Sequence, residues 1–232
     1  LTDSTQMKKF AEKFPERFIQ VGVAEQNLVT VASGMAAMGK IPFASSYAVF
    51  NPGRNWEQIR TTICINNRPV KIVGSHAGIS VGPDGSTHEA LEDIAMMRVL
   101  PNMQVFSPCD ALEAKKITEA IAKTDKPSYL RLYRNNTPII TTEETPFEIG
   151  KAQIFYDPPI KAKIVMIATG PVIFNAICAA QKFAEKGIAI KVVNVSTIKP
   201  LDEKTILELA KESGKVVTVE DHQIAGGLGS TV

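Results

Sequence analysis

The sequence has few cysteines, no long apolar run and no excess of charge of either sign. Its 232 residues include three cysteines, which stand far apart as Cys64, Cys109 and Cys178. An odd, scattered set favours reduced thiols over a disulfide framework, so we expect a cytoplasmic protein. No stretch approaches the roughly 20 apolar residues of a membrane-spanning helix, and the first ten residues do not resemble a signal peptide. With 26 basic and 24 acidic residues, neither a nucleic acid nor a membrane is the expected partner.

What is present is an ordinary globular composition, with 44% hydrophobic and 22% charged residues. Runs of β-branched residues alternate with patterns of helical period along most of the chain. Such alternation predicts parallel sheets with helices on both faces. We therefore predict an α/β protein of two consecutive doubly wound, mainly parallel sheet domains, the second of them incomplete.

The predicted domains are 1–135 and 151–232, joined by a linker over 136–150 that contains Asn-Thr-Pro and Thr-Thr-Glu-Glu-Thr-Pro. The elements predicted for the first domain are strands 17–23, 41–47, 69–75, 103–107 and 128–133 and helices 25–38, 55–65, 86–100 and 110–122. Two of these helices begin with capping boxes, Ser86 with Glu89 and Asp110 with Glu113. The elements predicted for the second domain are a hairpin-like segment 150–156, strands 163–168, 189–195 and 215–219, and helices 171–185 and 202–213.

Glu25 stands where a predicted strand ends and a predicted helix begins. In an open parallel sheet, ligands bind at the carboxyl ends of the strands. The plainer interpretation is a first-turn acid favoured by the helix dipole, and position alone supports it. The apolar neighbours Val21, Val23 and Ala24 shift the balance slightly, because they would withdraw the carboxyl from water and favour its protonated form.

A glycine-rich loop over residues 74–88 carries Asp84 and two of the three histidines, His76 and His88. Loops of this length at the end of a strand are often functional. A zinc site is a poor interpretation, since no ligand spacing matches one and no cysteine is near in sequence. The alternative is a turn with solvent-exposed histidines, and the clustering favours function modestly.

Three further features are candidates, each with a plain structural alternative. Tyr47 and Phe50 could wall a ring-shaped ligand, although such a pair is more often core. Arg134 follows the last strand of the first domain and could bind phosphate or carboxylate, although a solvated arginine is the default. The glycines of 226–229 could cradle a phosphate, but neither a dinucleotide fingerprint nor a Walker A motif occurs.

Blocks of this sequence, taken in order, resemble transketolase. They are the segments 21–27, 74–88, 197–202, 219–222 and 226–229. The resemblance runs from residue 1 to residue 232 and corresponds to the pyrimidine-binding domain and the start of the C-terminal domain. Deoxyxylulose-phosphate synthase and the beta subunit of pyruvate dehydrogenase share this domain order. His76 favours transketolase over the synthase, whose loop usually has arginine close by.

The resemblance implies thiamine diphosphate as cofactor and transfer of a two-carbon ketol group between sugar phosphates. Glu25 would be the catalytic glutamate that hydrogen-bonds a ring nitrogen of the aminopyrimidine. Tyr47 and Phe50 would flank that ring as cofactor-binding residues. A third aromatic, expected shortly afterwards, has no match, because Asn-Pro-Gly occupies 51–53.

The same resemblance implies a set of substrate contacts. His76 and Arg134 would hold the substrate phosphate, and Asp84 and His88 would contact sugar hydroxyls or the cofactor. Both histidines would also count as catalytic. Ser4 would be a further phosphate contact.

The sequence lacks the Gly-Asp-Gly motif that, by this resemblance, holds the diphosphate and a divalent ion, Mg or Ca, on another domain. This chain would then have no metal site of its own and would be inactive by itself. The resemblance implies a homodimer completed by an N-terminal diphosphate-binding domain or subunit, which is either a separate polypeptide or a region removed upstream.

Two other functions remain open. A deoxyxylulose-phosphate synthase-like enzyme would use pyruvate and release carbon dioxide, so its products would differ. A non-catalytic α/β module would serve dimerisation or regulatory ligand binding. The presence of Glu25, of both loop histidines and of Arg134 argues against a wholly non-catalytic chain.

Overall fold

Two sheets organise the chain in the computed structural model, which describes residues 2–232. Leu1, where the predicted first domain begins, lies outside the described residues. The helices are α1 (Lys8–Lys13), α2 (Glu25–Ala37), α3 (Trp56–Gln58, continued by a wider turn over Ile59–Cys64), α4 (Asp93–Arg98), α5 (Ala111–Ile121), α6 (Ile173–Ala184) and α7 (Glu203–Ser213). The strands are β1 (Phe43–Tyr47), β2 (Lys71–Ser75), β3 (Gln104–Phe106), β4 (Ser128–Arg131), β5 (Gln153–Tyr156), β6 (Ile164–Ala168), β7 (Ile190–Asn194), β8 (Thr197–Lys199) and β9 (Val216–Val219).

The first sheet has the order β1-β2-β4-β3-β8. Its first four strands are parallel, and β8 pairs antiparallel with β3. The strands are buried on both faces by helices, as a parallel sheet requires, and the core includes Ile72, Val105 and Tyr129. Because β1, β2 and β4 run in the same direction, the residues that follow them gather at one edge of the sheet.

The second sheet has the order β5-β7-β6-β9. Strands β6, β7 and β9 are parallel, and β5 is antiparallel to β7. The predicted fold class, two mainly parallel α/β sheets, is therefore confirmed. The predicted hairpin over 150–156 is wrong, because that segment supplies one strand that pairs with β7 from later in the chain.

The two units are joined more closely than the predicted linker suggests. Strand β8 follows the second unit's β7 in the chain yet completes the first unit's sheet. Within the linker, Thr141 is buried rather than exposed. The domain boundaries at 135 and 151 stay a prediction.

The strand predicted over 17–23 is absent from the described residues. Its β-branched residues do not pack against an apolar surface, since Ile19 and Val23 are 51% and 71% exposed. A strand requires a hydrogen-bonding partner as well as a β-favouring sequence, and this segment pairs with neither sheet.

The helix predicted over 86–100 begins at Asp93, so the Ser86–Glu89 capping box is wrong. The backbone before Asp93 bonds to other segments instead of to itself. The carbonyl of Ala90 accepts from Gly78 N, and that of Leu91 accepts from Gln223 N. Residues committed to these distant partners cannot form the first turns of a helix.

Of the second predicted capping box, Asp110 with Glu113, only the part played by Asp110 is confirmed. Asp110 caps α5 by accepting from the backbone N–H of Glu113 at 2.9 Å. The same carboxylate accepts from the backbone N–H groups of Ile140 and Thr141, at 2.9 and 2.7 Å. The Glu113 carboxylate does not return to Asp110 but accepts from Cys109 N at 2.7 Å. Asp110 thus ties the predicted linker to the start of α5.

Replacing Asp110 with alanine is expected to lower the free energy of unfolding by about 2–3 kcal/mol at pH 7, because it removes an N-cap and leaves buried N–H groups unpaired. Burial alone would raise the pKa of Asp110, but the hydrogen bonds from Glu113, Thr141 and Ile140 bring it below its ordinary 3.8. The carboxylate therefore stabilises the fold above that value, and its contribution is lost as pH falls through the lower folded pKa.

Urea denaturation at pH 7 and at pH 3 measures this effect. The matched control is Asp157→Ala, which removes a carboxylate that is 58% exposed and paired with Lys191; we expect a change below about 0.5 kcal/mol. An equal loss for Asp110→Ala at both pH values would contradict the assignment.

Candidate active site

Three parallel strands deliver the candidate residues to one edge of the first sheet. Tyr47 is the last residue of β1, Ser75 is the last residue of β2, and Arg134 follows β4 by three positions. In open parallel sheets this is the edge where ligands bind. Glu25 reaches the same edge from the first position of α2.

Glu25 is buried, with 3% of its surface exposed. One carboxylate oxygen accepts from Ser46 Oγ at 3.4 Å, and the other lies 3.4 Å from Arg54 Nη1. Its backbone carbonyl accepts from the Asn55 side-chain amide at 2.8 Å. A first-turn acid serving only the helix dipole would face solvent. The Glu25 side chain is instead buried, and the side chains of Ser46, Arg54 and Asn55 all contact this residue.

Arg54 was not anticipated from the sequence, although it connects two of the candidates. Besides pairing with Glu25, its guanidinium lies 4.7 Å from the ring centroid of Phe50. The available sequence signal was the spacing of four residues between Phe50 and Arg54, which places two side chains on the same face of a helical turn. The backbone N–H of Arg54 does donate to the Phe50 carbonyl. Pairing with Glu25 could not be predicted across 29 residues of sequence.

An open cleft of about 610 Å³ runs along the outer side of Glu25. Its size lies within the range of small-molecule sites. It is lined by Val23, Ala24, Glu25, Gln26, Asn27, Thr30, Arg54 and Gln58.

The aromatic pair and the loop histidines, separate in sequence, form one cluster. The ring of Tyr47 stacks on His76 with centroids 3.9 Å apart and planes at 14°. Phe50 lies parallel to Tyr47 at 6.3 Å. His88 meets both aromatic rings edge-on, at 6.1 Å from Tyr47 and 5.4 Å from Phe50. The histidines are therefore neither solvent-exposed nor in an ordinary core.

Burial lowers the pKa of His76 below its ordinary 6.5, and the nearby charge of Arg134 lowers it further. Asp84 acts in the opposite direction, and His88 adds to the lowering. The ring Nδ1 lies 3.1 Å from Ser75 Oγ. At neutral pH the imidazole is therefore mostly uncharged. An anion bound beside it would favour its protonation.

Arg134 and Asp84 form an ion pair at 3.3 Å, with about a third of each side chain exposed. The guanidinium also donates to the carbonyl oxygen of Val81. The end of β4 is thus fastened to the loop that carries His76 and His88. This partly exposed pair lies close enough to His76 to act on its charge.

The position where a third aromatic was expected has a structural role. Asn51 is fully buried, and its side-chain amide donates to the carbonyls of Ala44 and Val73 at 3.0 and 3.1 Å. Ser4 lies half-buried in a turn near the start of the chain. Its role as a phosphate contact stays a prediction.

The glycines of 226–229 do not form an open phosphate cradle. The Glu220 carboxylate accepts from the N–H groups of Leu228 and Gly229 at 2.6 and 2.9 Å. An acid of the chain itself therefore fills the position that a phosphate would take.

Residues 2–232 contain neither a cluster of metal ligands nor a membrane-spanning helix. No three histidine, cysteine, aspartate or glutamate side chains there converge as a metal site would require. In the same residues, no helix combines the length and apolar character that crossing a bilayer demands.

Comparison with protein families gives two matches that together span nearly the whole chain. Residues 1–139 match the family described as transketolase, pyrimidine binding domain. Residues 150–232 match the family described as transketolase, C-terminal domain.

Individual relatives agree with the family matches. A protein of Methanocaldococcus jannaschii described as a transketolase C-terminal section is 47% identical over 234 residues, with 100% of this chain and 72% of the relative covered. A subunit of 6-deoxy-6-sulfo-D-fructose transketolase from a Clostridium species is 38% identical, with 99% and 70% covered. A solved structure described as a split gene transketolase, inactive beta4 tetramer, is 42% identical with a TM-score of 0.90, and 100% of this chain and 74% of that chain are covered.

Replacing Arg134 with alanine is expected to raise the pKa of His76, because it removes a nearby cation and releases the Asp84 carboxylate. Proton NMR titration of the imidazole resonances in the isolated chain measures this directly. Arg17→Ala, which removes an exposed guanidinium near the start of the chain, is the matched control and should leave His76 unchanged. An unchanged or lowered pKa in Arg134→Ala would refute the proposed electrostatic coupling.

Proposed function

Because this chain belongs to the transketolase family, we propose that it carries the aminopyrimidine half of a thiamine diphosphate site. Completed by an N-terminal partner, it transfers two-carbon ketol groups between sugar phosphates. The observation that carries this proposal is the buried carboxylate of Glu25 at the ligand-binding edge of the sheet, paired with Arg54, whose guanidinium lies over the Phe50 ring.

The residues around Glu25 fit the cofactor's aminopyrimidine. That ring requires a carboxyl group for a ring nitrogen and aromatic walls for its faces. Two buried amide oxygens nearby, Asn55 Oδ1 and Gln58 Oε1, lack a hydrogen-bond partner among the described atoms, and Gln58 lines the cleft. When bound, thiamine diphosphate supplies the carbanion-stabilising chemistry. Glu25 holds a proton at the ring nitrogen, and Tyr47 and Phe50 orient the ring.

The cluster of His76, Asp84, His88 and Arg134 supports a sugar-phosphate substrate. Arg134 and His76 donate hydrogen bonds to the phosphate, and Ser4 is a further contact. The neutral state of His76 means that phosphate binding draws a proton onto the imidazole. Asp84 and His88 contact the sugar hydroxyls. Both histidines lie where they can exchange protons with the substrate.

The other half of the site is assigned to a partner. The relatives described as a C-terminal section and as a subunit have similar coverage, which supports a divided enzyme. The partner domain or subunit would hold the diphosphate and a divalent ion, Mg or Ca, and the present chain would form the homodimer at the centre of the assembly. Three unpaired thiols are compatible with a cytoplasmic location.

One relative favours a second candidate substrate. It is described as acting on 6-deoxy-6-sulfo-D-fructose. A sulfonate is an anion with oxygen acceptors, so the His76 and Arg134 pair suits it as it suits a phosphate. The activity assay described next should therefore include a sulfonated ketose as an alternative donor.

This chain alone is expected to be inactive, and activity should appear when the N-terminal half of a transketolase from the same source is added. A coupled assay with xylulose 5-phosphate, ribose 5-phosphate, thiamine diphosphate and magnesium measures this. Activity in neither sample, with no cofactor-dependent change, would contradict the transketolase assignment. The synthase reaction with pyruvate would then be tested, and its failure would favour the non-catalytic module. Activity of the chain alone would refute the division of the site.

Glu25→Gln is expected to slow hydrogen–deuterium exchange at the cofactor's reactive carbon by about 100-fold or more, since glutamine cannot hold the proton at the ring nitrogen. NMR of the reconstituted complex follows this exchange without turnover. The matched control is Glu57→Gln, on α3, where the carboxylate is exposed and accepts from the neighbouring Gln58. Wild-type exchange in Glu25→Gln would defeat the assignment.

A further inference from the structure

A short segment of the second unit reaches the loop that carries the candidate substrate residues. We call residues 220–223, which follow β9, the acidic tip. One carboxylate oxygen of Asp221 accepts from the backbone N–H of Ile79 at 3.3 Å. The other lies so close to Gly78 that an added Cβ would stand 1.9 Å from it. The carboxylate therefore occupies the space beside a residue that must be glycine.

The backbone of this loop needs such external support. His76, Gly78, Gly82 and Gly85 all have positive φ angles, between 54° and 76°. For the histidine this conformation is unfavourable, and for the glycines it is one of many that are open to them. Local turn bonds, such as that from Gly85 N to Gly82 O at 3.0 Å, hold part of this shape, and hydrogen bonds from other segments add to them.

Besides the bond from Arg134 to the Val81 carbonyl, the first unit supplies two backbone bonds, and Asp221 adds one from the second unit. Ala77 N donates to the carbonyl of Leu132 at 3.0 Å, and Gly78 N donates to that of Ala90 at 2.9 Å. These bonds fix the loop as far as Gly78. The next N–H, that of Ile79, is bound by Asp221, immediately before the turn that leads to Asp84.

Asp221 is itself held firmly. Its carbonyl accepts from Arg131 Nη2 at 2.8 Å, and the next residue but one, Gln223, donates its N–H to Leu91 O at 2.8 Å. Arg131 in turn is fully buried and paired with Asp93 at 2.8 Å. A carboxylate mounted on such a fixed backbone can determine the position of the loop it contacts.

We propose that Asp221 is a positioning residue through which the second unit fixes the 76–88 loop. By holding the Gly78–Ile79 turn, it sets where Asp84 and His88 stand relative to Tyr47. The consequence for catalysis rests on the proposed function, whereas the support of the loop belongs to this chain alone. The second unit then has a definite part in a substrate site formed by residues of the first.

Amide hydrogen exchange of the isolated chain, followed by mass spectrometry, tests the support directly. Asp221→Ala should accelerate exchange in peptides covering 77–88 by about tenfold, the effect of losing one hydrogen bond to a charged acceptor. Asp221→Asn, which keeps an acceptor oxygen, should restore most of the protection. Asp157→Ala, the matched control elsewhere on the second unit, should leave these peptides unchanged. Unchanged exchange in Asp221→Ala, or an equal increase along the whole chain, would overturn the proposal.

The reconstituted enzyme tests the consequence for catalysis. Asp221→Ala should raise KM for the phosphorylated donor several-fold while exchange at the cofactor's reactive carbon stays at the wild-type rate, because Glu25 lies on α2. An unchanged KM, or slowed exchange at that carbon, would overturn the positioning role. An inactive wild-type mixture would defeat the proposed function and the catalytic consequence together, and amide exchange in the isolated chain would still decide whether Asp221 holds the loop.

Discussion

The buried ion pair between Arg131 and Asp93 is the interaction on which the site's geometry depends. Both side chains are fully buried, and the Tyr129 hydroxyl donates to the same carboxylate oxygen at 2.7 Å. The guanidinium cannot lose its proton, so without Asp93 it would stand uncompensated, at a cost of about 3–5 kcal/mol. From this one centre, bonds run to the carbonyls of Ala90 and Asp221. Strand β4, helix α4 and the acidic tip are therefore fixed together, and the candidate loop lies between them.

Most of the regular elements could be predicted from the sequence, because their apolar period was clear. The prediction failed where hydrogen bonds to residues far away in sequence determine the local structure. The start of α4 at Asp93 depends on bonds from Gly78 and Gln223 that no local pattern encodes. At the site, residue types and their place after strands were informative, and the structure places Glu25 and the loop histidines at the sheet edge expected for them; their roles stay a prediction. Asp221 was not singled out, since it meets Ile79 across 142 residues of sequence.

The seam between the two units closes the carboxyl edge of the second sheet at β7. Asn194 ends β7, at the edge where a parallel sheet would bind a ligand. Its side-chain amide donates to the Glu113 carboxylate of α5 at 2.8 Å. Burial raises the pKa of Glu113, and hydrogen bonds from Cys109 and Asn194 act against that rise. The edge is thus closed by the first unit, and the second unit acts on the site through its tip.

Strand β8 joins the two units into a single structural module. Since a strand from the second half of the chain completes the first sheet, neither half can be exchanged alone without exposing the open edge of β3. A gene fission between them would produce two fragments with matching unpaired edges, prone to wrong pairing before they met.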